Sequence, residues 1–302
     1  MARVVVVHGV GQQLETAETL LPVVEPALRG GLNLALRQDS ALAERMPMLA
    51  PGDVACVGYG DLFRRRAARG ALPHHSAADV AQGLETELLL AWWEEAARTE
   101  PTVLGPSETS RGILGYAASR PLTLVVVQQA LDALTRSRFF KAVSDSLLIA
   151  SLKQVRRYFE EPDLRSAVRA RVMELLDEDT QVVVGHSLGS IVAYEALAHS
   201  PQPHWRIGTF VTLGSPLGIR HLTFDRLEPA PYEGVGVWPK SVRRWHNIAD
   251  AGDVVALVRD LRTRFGPDVQ DHLVHNGVTM HDMTAYLTAV ETGRAVAEGL
   301  AR

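Results

Sequence analysis

Short runs of β-branched residues alternate with longer stretches of helical apolar spacing along most of this chain. Val4 to Val7 opens the pattern as a continuous apolar run, the kind that forms a strand buried on both faces of a parallel sheet. Leu14 to Leu36 follows with helical spacing, and its two prolines, Pro22 and Pro26, predict a break or kink. Further strands are predicted at Val54 to Tyr59, Thr180 to Val184, Ile207 to Leu213, Val242 to Ile248 and Val269 to Val274. Between and after them, helical spacing recurs at Leu164 to Leu176, Ser190 to His199, Val254 to Arg264 and Asp282 to Ala297. Strand and helix in regular alternation predict an α/β fold with a doubly wound, mostly parallel sheet.

The rhythm changes between residues 61 and 160. Helical pattern dominates there, at Ala77 to Arg98, Val125 to Leu134 and Phe139 to Phe159, with a Pro-, Gly- and Ser-rich loop from Glu100 to Pro121. Only Leu122 to Val127 could add a strand. Because alternation resumes afterwards, residues 1–302 are expected to form one α/β domain carrying 61–160 as a helical insertion. Its place in the chain suggests a cap over the sheet edge where the loops gather, with an apolar pocket beneath it. Arg156, Arg157, Glu160 and Glu161 read as a solvated face rather than a membrane-binding one.

Composition adds exclusions. An apolar content of 46% over 302 residues is ample for a core, and a net charge of −4 gives no electrostatic case for nucleic acid or an anionic membrane. The single cysteine, Cys56, sits in an apolar run and reads as a small buried hydrophobe. No cysteine or histidine spacing suggests a zinc site, and no cofactor is called for. The chain starts directly with a strand rather than a basic-then-apolar leader, and no apolar run approaches the ~18 residues of a membrane span; a cytoplasmic protein without a transmembrane segment is expected.

The chemistry centres on Gly185-His186-Ser187-Leu188-Gly189, which lies between a predicted strand and a predicted helix. That context is what G-x-S-x-G needs to act as a nucleophile elbow, a strained turn so tight that the flanking glycines cannot carry side chains. A serine hydroxyl needs a base, and the base needs a carboxylate. After such an elbow the acid precedes the histidine in the chain. Asp253, past the Val242 to Ile248 strand, is the candidate acid, although it also stands where an N-cap for a helix at Val254 would be; Asp250 is its neighbour in contention, with Asp61 and Asp225 remoter. His281 is the candidate base, placed in the first turn of the last helix by a capping box between Thr279 and Asp282, with His272 and His275 competing. His186 is assigned packing or hydrogen bonding. Backbone N–H donors for an oxyanion are expected at Leu188, after the nucleophile, and at Val10 in the turn His8-Gly9-Val10-Gly11. Read alone, that turn also hints at dinucleotide binding, but Leu14 stands where the third glycine would be.

These segments together resemble the α/β-hydrolase superfamily, particularly its lipase-like and esterase-like branch. The resemblance rests on His8-Gly9, Gly185-His186-Ser187-Leu188-Gly189, Thr212-Leu213-Gly214-Ser215-Pro216, the Asp253 loop and His281-Asp282-Met283-Thr284-Ala285-Tyr286. It covers most of the chain outside 61–160. The chain departs from the usual pattern by beginning at the strand that carries the oxyanion loop and by its early insertion. The resemblance implies a serine hydrolase of carboxylic esters acting on a small-molecule ester or acyl substrate, with Ser187, His281 and Asp253 as triad and Val10 and Leu188 as oxyanion donors. Thioesters and amides would use the same groups, and a binding or scaffold protein on the same fold is the alternative from another class.

Overall fold

The computed structural model describes residues 2–64, 74–106, 123–138, 140, 143–199 and 201–301. Among these, residues up to 63 together with those from 163 on form one compact unit, and a second lies within 64–162.

The first unit holds a six-stranded, all-parallel sheet. Its strands are β1 (Val4–Val7), β2 (Val54–Val57), β3 (Val182–His186), β4 (Ile207–Leu213), β5 (Val242–Asp250) and β6 (Val269–Val274), in the order β2-β1-β3-β4-β5-β6. Alternate side chains divide between its faces. Val4, Val6, Val54, Cys56, Val182, Val184, Val211 and Leu213 meet a layer made by α1 (Ala17–Gln38), α9 (Met283–Thr288) and α10 (Val290–Leu300). Burial in that layer pushes the Cys56 thiol up to about 12, so it stays protonated. On the opposite face Phe210 and Trp245 pack with Tyr194 of α7 (Leu188–His199) and with Phe265.

This strand order fixes where a site can form. From β1 the chain passes through α1 and the short α2 (Ser40–Arg45) to β2 on one side, and it returns to β3 on the other side of β1. The loops leaving β1 and β3 therefore diverge to opposite faces and open a crevice at the carboxyl edge of the sheet. Gly9 and Val10 follow β1; Ser187 follows β3.

Several local expectations change. Helix α1 runs for 22 residues without a break at Pro22 or Pro26. Both prolines are exposed and lie four residues apart on the solvent side, while Leu20, Val24, Leu28 and Leu32 hold the other side in the core; the carbonyls left without N–H partners face water. No helix starts at Val254. Residues 254–256 are buried as an irregular segment, and the only helix between it and β6 is the short α8 (Arg262–Phe265). Side chains satisfy the backbone of this stretch: Asp253 accepts from the Val255 and Ala256 N–H groups, Asp271 from those of Leu261 and Arg262, and Asn247 donates to the Arg259 carbonyl. The last expected helix is two helices, α9 and α10, separated at an extended Ala289; the Ala289 N–H and the Thr292 hydroxyl both bond the Tyr286 carbonyl there. Strand β5 reaches Asp250, past its expected end at Ile248.

The second unit contains α3 (Leu84–Thr99), α4 (Leu124–Arg136) and α5 (Asp145–Glu160), packed on one another. Residues 124–127 belong to α4 rather than to a strand, and Leu122, Phe139 and the loop from 107 to 121 lie outside the described residues. Arg156 is not simply solvated: with Lys153 it pairs with the buried Glu85 of α3, while Arg157 makes the i,i+4 pair with Glu161. No described helix is long and apolar enough to cross a membrane.

The elbow helix α7 is anchored by charge. Glu195 is fully buried and takes a two-pronged contact from Arg165 of α6 (Pro162–Met173), with Arg169 3.7 Å away and the Glu228 N–H donating as well. Removing one partner from such a pair strands a buried charge. Arg165→Met is expected to cost about 3 kcal/mol in a urea titration, and Arg165→Met with Glu195→Met to recover at least half of that. A double variant less stable than the single one would contradict this account.

Candidate active site

Ser187 is a strained point of the backbone, as are His221 and Glu233 in the loop after β4. Its φ is 53°, in the left-handed region that a non-glycine residue rarely adopts. The turn is closed by bonds on both sides: the Ser187 N–H donates to the Leu213 carbonyl at 2.9 Å, and the Ser187 carbonyl accepts the Ser190 N–H at 2.9 Å and its hydroxyl at 2.6 Å. Ser190 in turn shares a 2.7 Å hydrogen bond with Ser215, which caps the Leu217 N–H. No side chain fits beside this turn: a Cβ on Gly185 would lie 2.6 Å from the Ser190 Cα, and one on Gly189 2.2 Å from the His8 carbonyl oxygen. Hence the two glycines of the motif.

The structure brings Ser187, His281 and Asp253 into one hydrogen-bonded chain. His281 Nε2 is 2.9 Å from Ser187 Oγ, and His281 Nδ1 is 2.7 Å from Asp253 Oδ2. Because a carboxylate only accepts, Nδ1 carries the ring proton and Nε2 is left to accept the serine hydroxyl. Asp253 is fully buried. Burial raises its carboxyl, but His281, the Tyr286 hydroxyl at 2.7 Å and the Val255 N–H at 2.8 Å outweigh that and hold it below the usual carboxylate range. Gly214, at the end of β4 with φ 52°, leaves the room: a Cβ there would meet Asp253 Oδ2 at 2.7 Å and His281 Nδ1 at 3.0 Å. His281 is not in a helical turn as expected. It precedes Asp282, which itself caps α9 by accepting from the Thr284 and Ala285 N–H groups, while Thr279 contributes only its backbone carbonyl to Asp282.

The remaining candidates lie elsewhere. Both Asp250 oxygens accept backbone N–H groups, from Gly252 and Asn276, so this residue braces the turn beside Asp253. Asp61 is exposed near Arg171, and Asp225 is exposed against the His221 N–H. His272 stacks on His246 with ring nitrogens 3.1 Å apart, and His275 is exposed.

A cleft of about 390 Å³ opens at Ser187, lined also by Gly9, Val10, His281, Leu20 and Met283. Leu188 opens α7, so its N–H has no acceptor within the helix. His8 Nδ1 donates to the Gly9 carbonyl at 2.8 Å. That carbonyl shares a trans peptide plane with the Val10 N–H, which consequently points the opposite way. Sequence reading missed Tyr286, Gly214 and the bracing by Asp250. The one available signal was a tyrosine on the apolar stripe of α9, whose buried hydroxyl requires a partner.

Residues 165–292 match a family described as PGAP1-like alpha/beta domain, which belongs to the α/β-hydrolase superfamily. That span contains the elbow, Asp253 and His281. No curated protein and no solved structure gives a match to the chain.

Two buried histidines give the unit a distinct acid sensitivity. Desolvation lowers His8 from 6.5 to about 4, and burial, aided by the neighbouring His281, lowers His186 from 6.5 to about 3. Both stay neutral in the fold, where His186 donates Nε2–H to the His281 carbonyl at 2.9 Å. A depressed folded pKa means the unfolded chain takes up protons first; stability is complete above 6.5 and declines as pH falls toward the folded values. Each ring is expected to cost about 2 kcal/mol between about pH 7 and pH 5. The lowered Asp253 acts only below the ordinary carboxylate range. Urea midpoints across this window should fall for the wild type, and fall less for His8→Asn and for His186→Gln, which keep the donor but cannot titrate. Equal slopes in all three proteins would refute this.

Proposed function

We propose that this chain, whose residues 165–292 match a family of the α/β-hydrolase superfamily, is a serine hydrolase that cleaves a carboxylic ester through an acyl-enzyme. The observation that carries the reading is the continuous Asp253–His281–Ser187 hydrogen-bonded chain, ending on a hydroxyl held in a strained turn at the floor of a cleft. In this reading Ser187 Oγ attacks the carbonyl carbon as its proton passes to His281 Nε2. The charge on the former carbonyl oxygen is taken up by the Leu188 and Val10 N–H groups, and Asp253 stabilises the imidazolium. Collapse breaks the C–O bond, the leaving alkoxide takes the proton from Nε2, and the acyl group stays on Ser187. Water then repeats the sequence, giving its proton to His281 and releasing the acid with a regenerated serine. The cleft's Leu20 and Met283 offer an apolar wall to an acyl chain. A thioester or amide carbonyl would meet the same groups, and comparing one acyl group on all three leaving atoms ranks them.

Two experiments test this. A fluorophosphonate should label the wild type and not Ser187→Ala, and hydrolysis of short p-nitrophenyl esters by that variant should fall at least about a thousandfold in kcat. Failure to label, with no turnover of any ester, would favour a binding protein on the same fold.

Asp253→Asn separates the acid from its neighbour. The amide keeps an oxygen for the Val255 and Ala256 N–H groups but sets its NH₂ against His281 Nδ1 and the Tyr286 hydroxyl. Its kcat is expected to drop at least about a hundredfold, with more loss of stability than the ~1 kcal/mol of a simple cap. Asp250→Asn should lower stability with a much milder effect on kcat. A reversal of the two kcat effects would make Asp250 the acid.

A further inference from the structure

Asp253 accepts hydrogen bonds from four donors, and one of them is a side chain with no place in the three-residue scheme. Its Oδ1 accepts the Val255 and Ala256 N–H groups at 2.8 and 3.3 Å; its Oδ2 accepts His281 Nδ1–H and the Tyr286 O–H, each at 2.7 Å. Four donors match the roughly four lone-pair sites of a carboxylate. The direction of the Tyr286 proton is fixed as well. Its oxygen already accepts the Asp250 N–H at 2.8 Å, so its single proton is left for Asp253. Tyr286 is fully buried on α9, its ring 5.9 Å from His186 and packed where a Cβ on Gly214 would be only 2.9 Å away. Burial and the adjacent Asp253 charge push the phenol well above its usual range, so it remains a donor at every working pH.

We propose that Tyr286 is a positioning residue: its hydroxyl fills the last acceptor site of Asp253, fixes the carboxylate's orientation and thereby sets the pH at which His281 becomes a base. The physical link is charge sharing. A carboxylate oxygen that accepts a second hydrogen bond offers less charge to the first donor, so the imidazolium is stabilised less and gives up its proton more readily. Asp250 enters through its backbone alone, holding the Tyr286 oxygen while its own carboxylate braces the turn. Within this unit the titratable groups around His281 are Asp253 from the loop after β5, Asp250 at the end of β5, and His186 from the end of β3. Tyr286 and Asp282 belong to α9 and its cap, and Glu15 lines the same cleft. His186 stays neutral through its burial, and the carboxylates of Asp282 and Glu15 are unchanged by substitution at 286.

The kinetic part of this inference rests on the hydrolase reading; the titration of His281 does not. In Tyr286→Phe, Oδ2 has only His281 to serve. The imidazole, followed by NMR of its ring carbons in the resting protein, should titrate about 0.5 to 1 pH unit higher, and the acid limb of kcat/KM for a p-nitrophenyl ester should move up with it. Replacement of Tyr286 by 3-fluorotyrosine strengthens the donor without removing it and should move both quantities the other way by a few tenths of a pH unit. A merely structural tyrosine would lower stability and activity at every pH and leave both positions unchanged. An unmoved His281 titration, or shifts of the same sign in the two variants, would overturn the proposal. Should Tyr286→Phe not fold, the sign of the 3-fluorotyrosine shift decides alone. A shifted titration with no ester turnover in any form would uphold the positioning role and count against the hydrolase reading.

Discussion

The left-handed backbone at Ser187 is the constraint on which the rest of the α/β unit depends. A serine at φ 53° costs on the order of 1 kcal/mol or more and persists only where its surroundings leave it no alternative. Here they come from three separate stretches of chain. The Leu213 carbonyl at the end of β4 takes its N–H, Ser190 in the first turn of α7 takes its carbonyl, and the backbone after β1 crosses so near that Gly189 cannot carry a Cβ. Because β1 and β3 are neighbours whose following loops diverge, this crowding also leaves a cleft on the open side. The strain and the access are two results of one topology.

Electrostatics in the site follow from how completely its polar groups are partnered. Asp253 carries its charge in a fully buried position because donors from two backbone amides, an imidazole and a phenol replace the water it lost. His186 and His8 lie at the same edge with the opposite outcome: each has one hydrogen bond to a carbonyl, and burial keeps each neutral. A charged imidazole at His186 would oppose a positive charge on the neighbouring His281. The arrangement therefore keeps both buried rings uncharged and sets a fixed negative partner against His281 Nδ1.

The elements that sequence pattern located well are those whose periodicity and burial coincide. Runs such as Val4–Val7 and Ile207–Leu213 are β-branched and doubly buried, and the glycines two positions before and after Ser187 mark a turn with no room for a side chain. Misreadings fall where burial is not one-sided. The apolar run from Val254 looked like a helix stripe, yet it is an irregular segment whose backbone is satisfied by Asp253, Asp271 and Asn247, partners distant in the chain or used in a way spacing does not reveal. A second misreading has a different origin: Pro22 and Pro26 do not interrupt α1, because both lie on its solvent side while the opposite face is packed in the core.

Local pattern thus determined the strand-and-helix alternation and the strained turn at Ser187, because each is a property of neighbouring residues and their spacing. Which aspartate reaches which histidine was decided only in three dimensions. Asp250 and Asp253 are three residues apart and chemically identical; the end of β5 turns one toward the Gly252 and Asn276 amides and the other toward His281. Tyr286 could be seen in the sequence, but its role could not, since that depends on the Asp250 N–H fixing where its proton points. Spacing along a chain specifies which side of an element a group occupies; the direction of a hydrogen bond is set by whatever the folded neighbours leave unfilled.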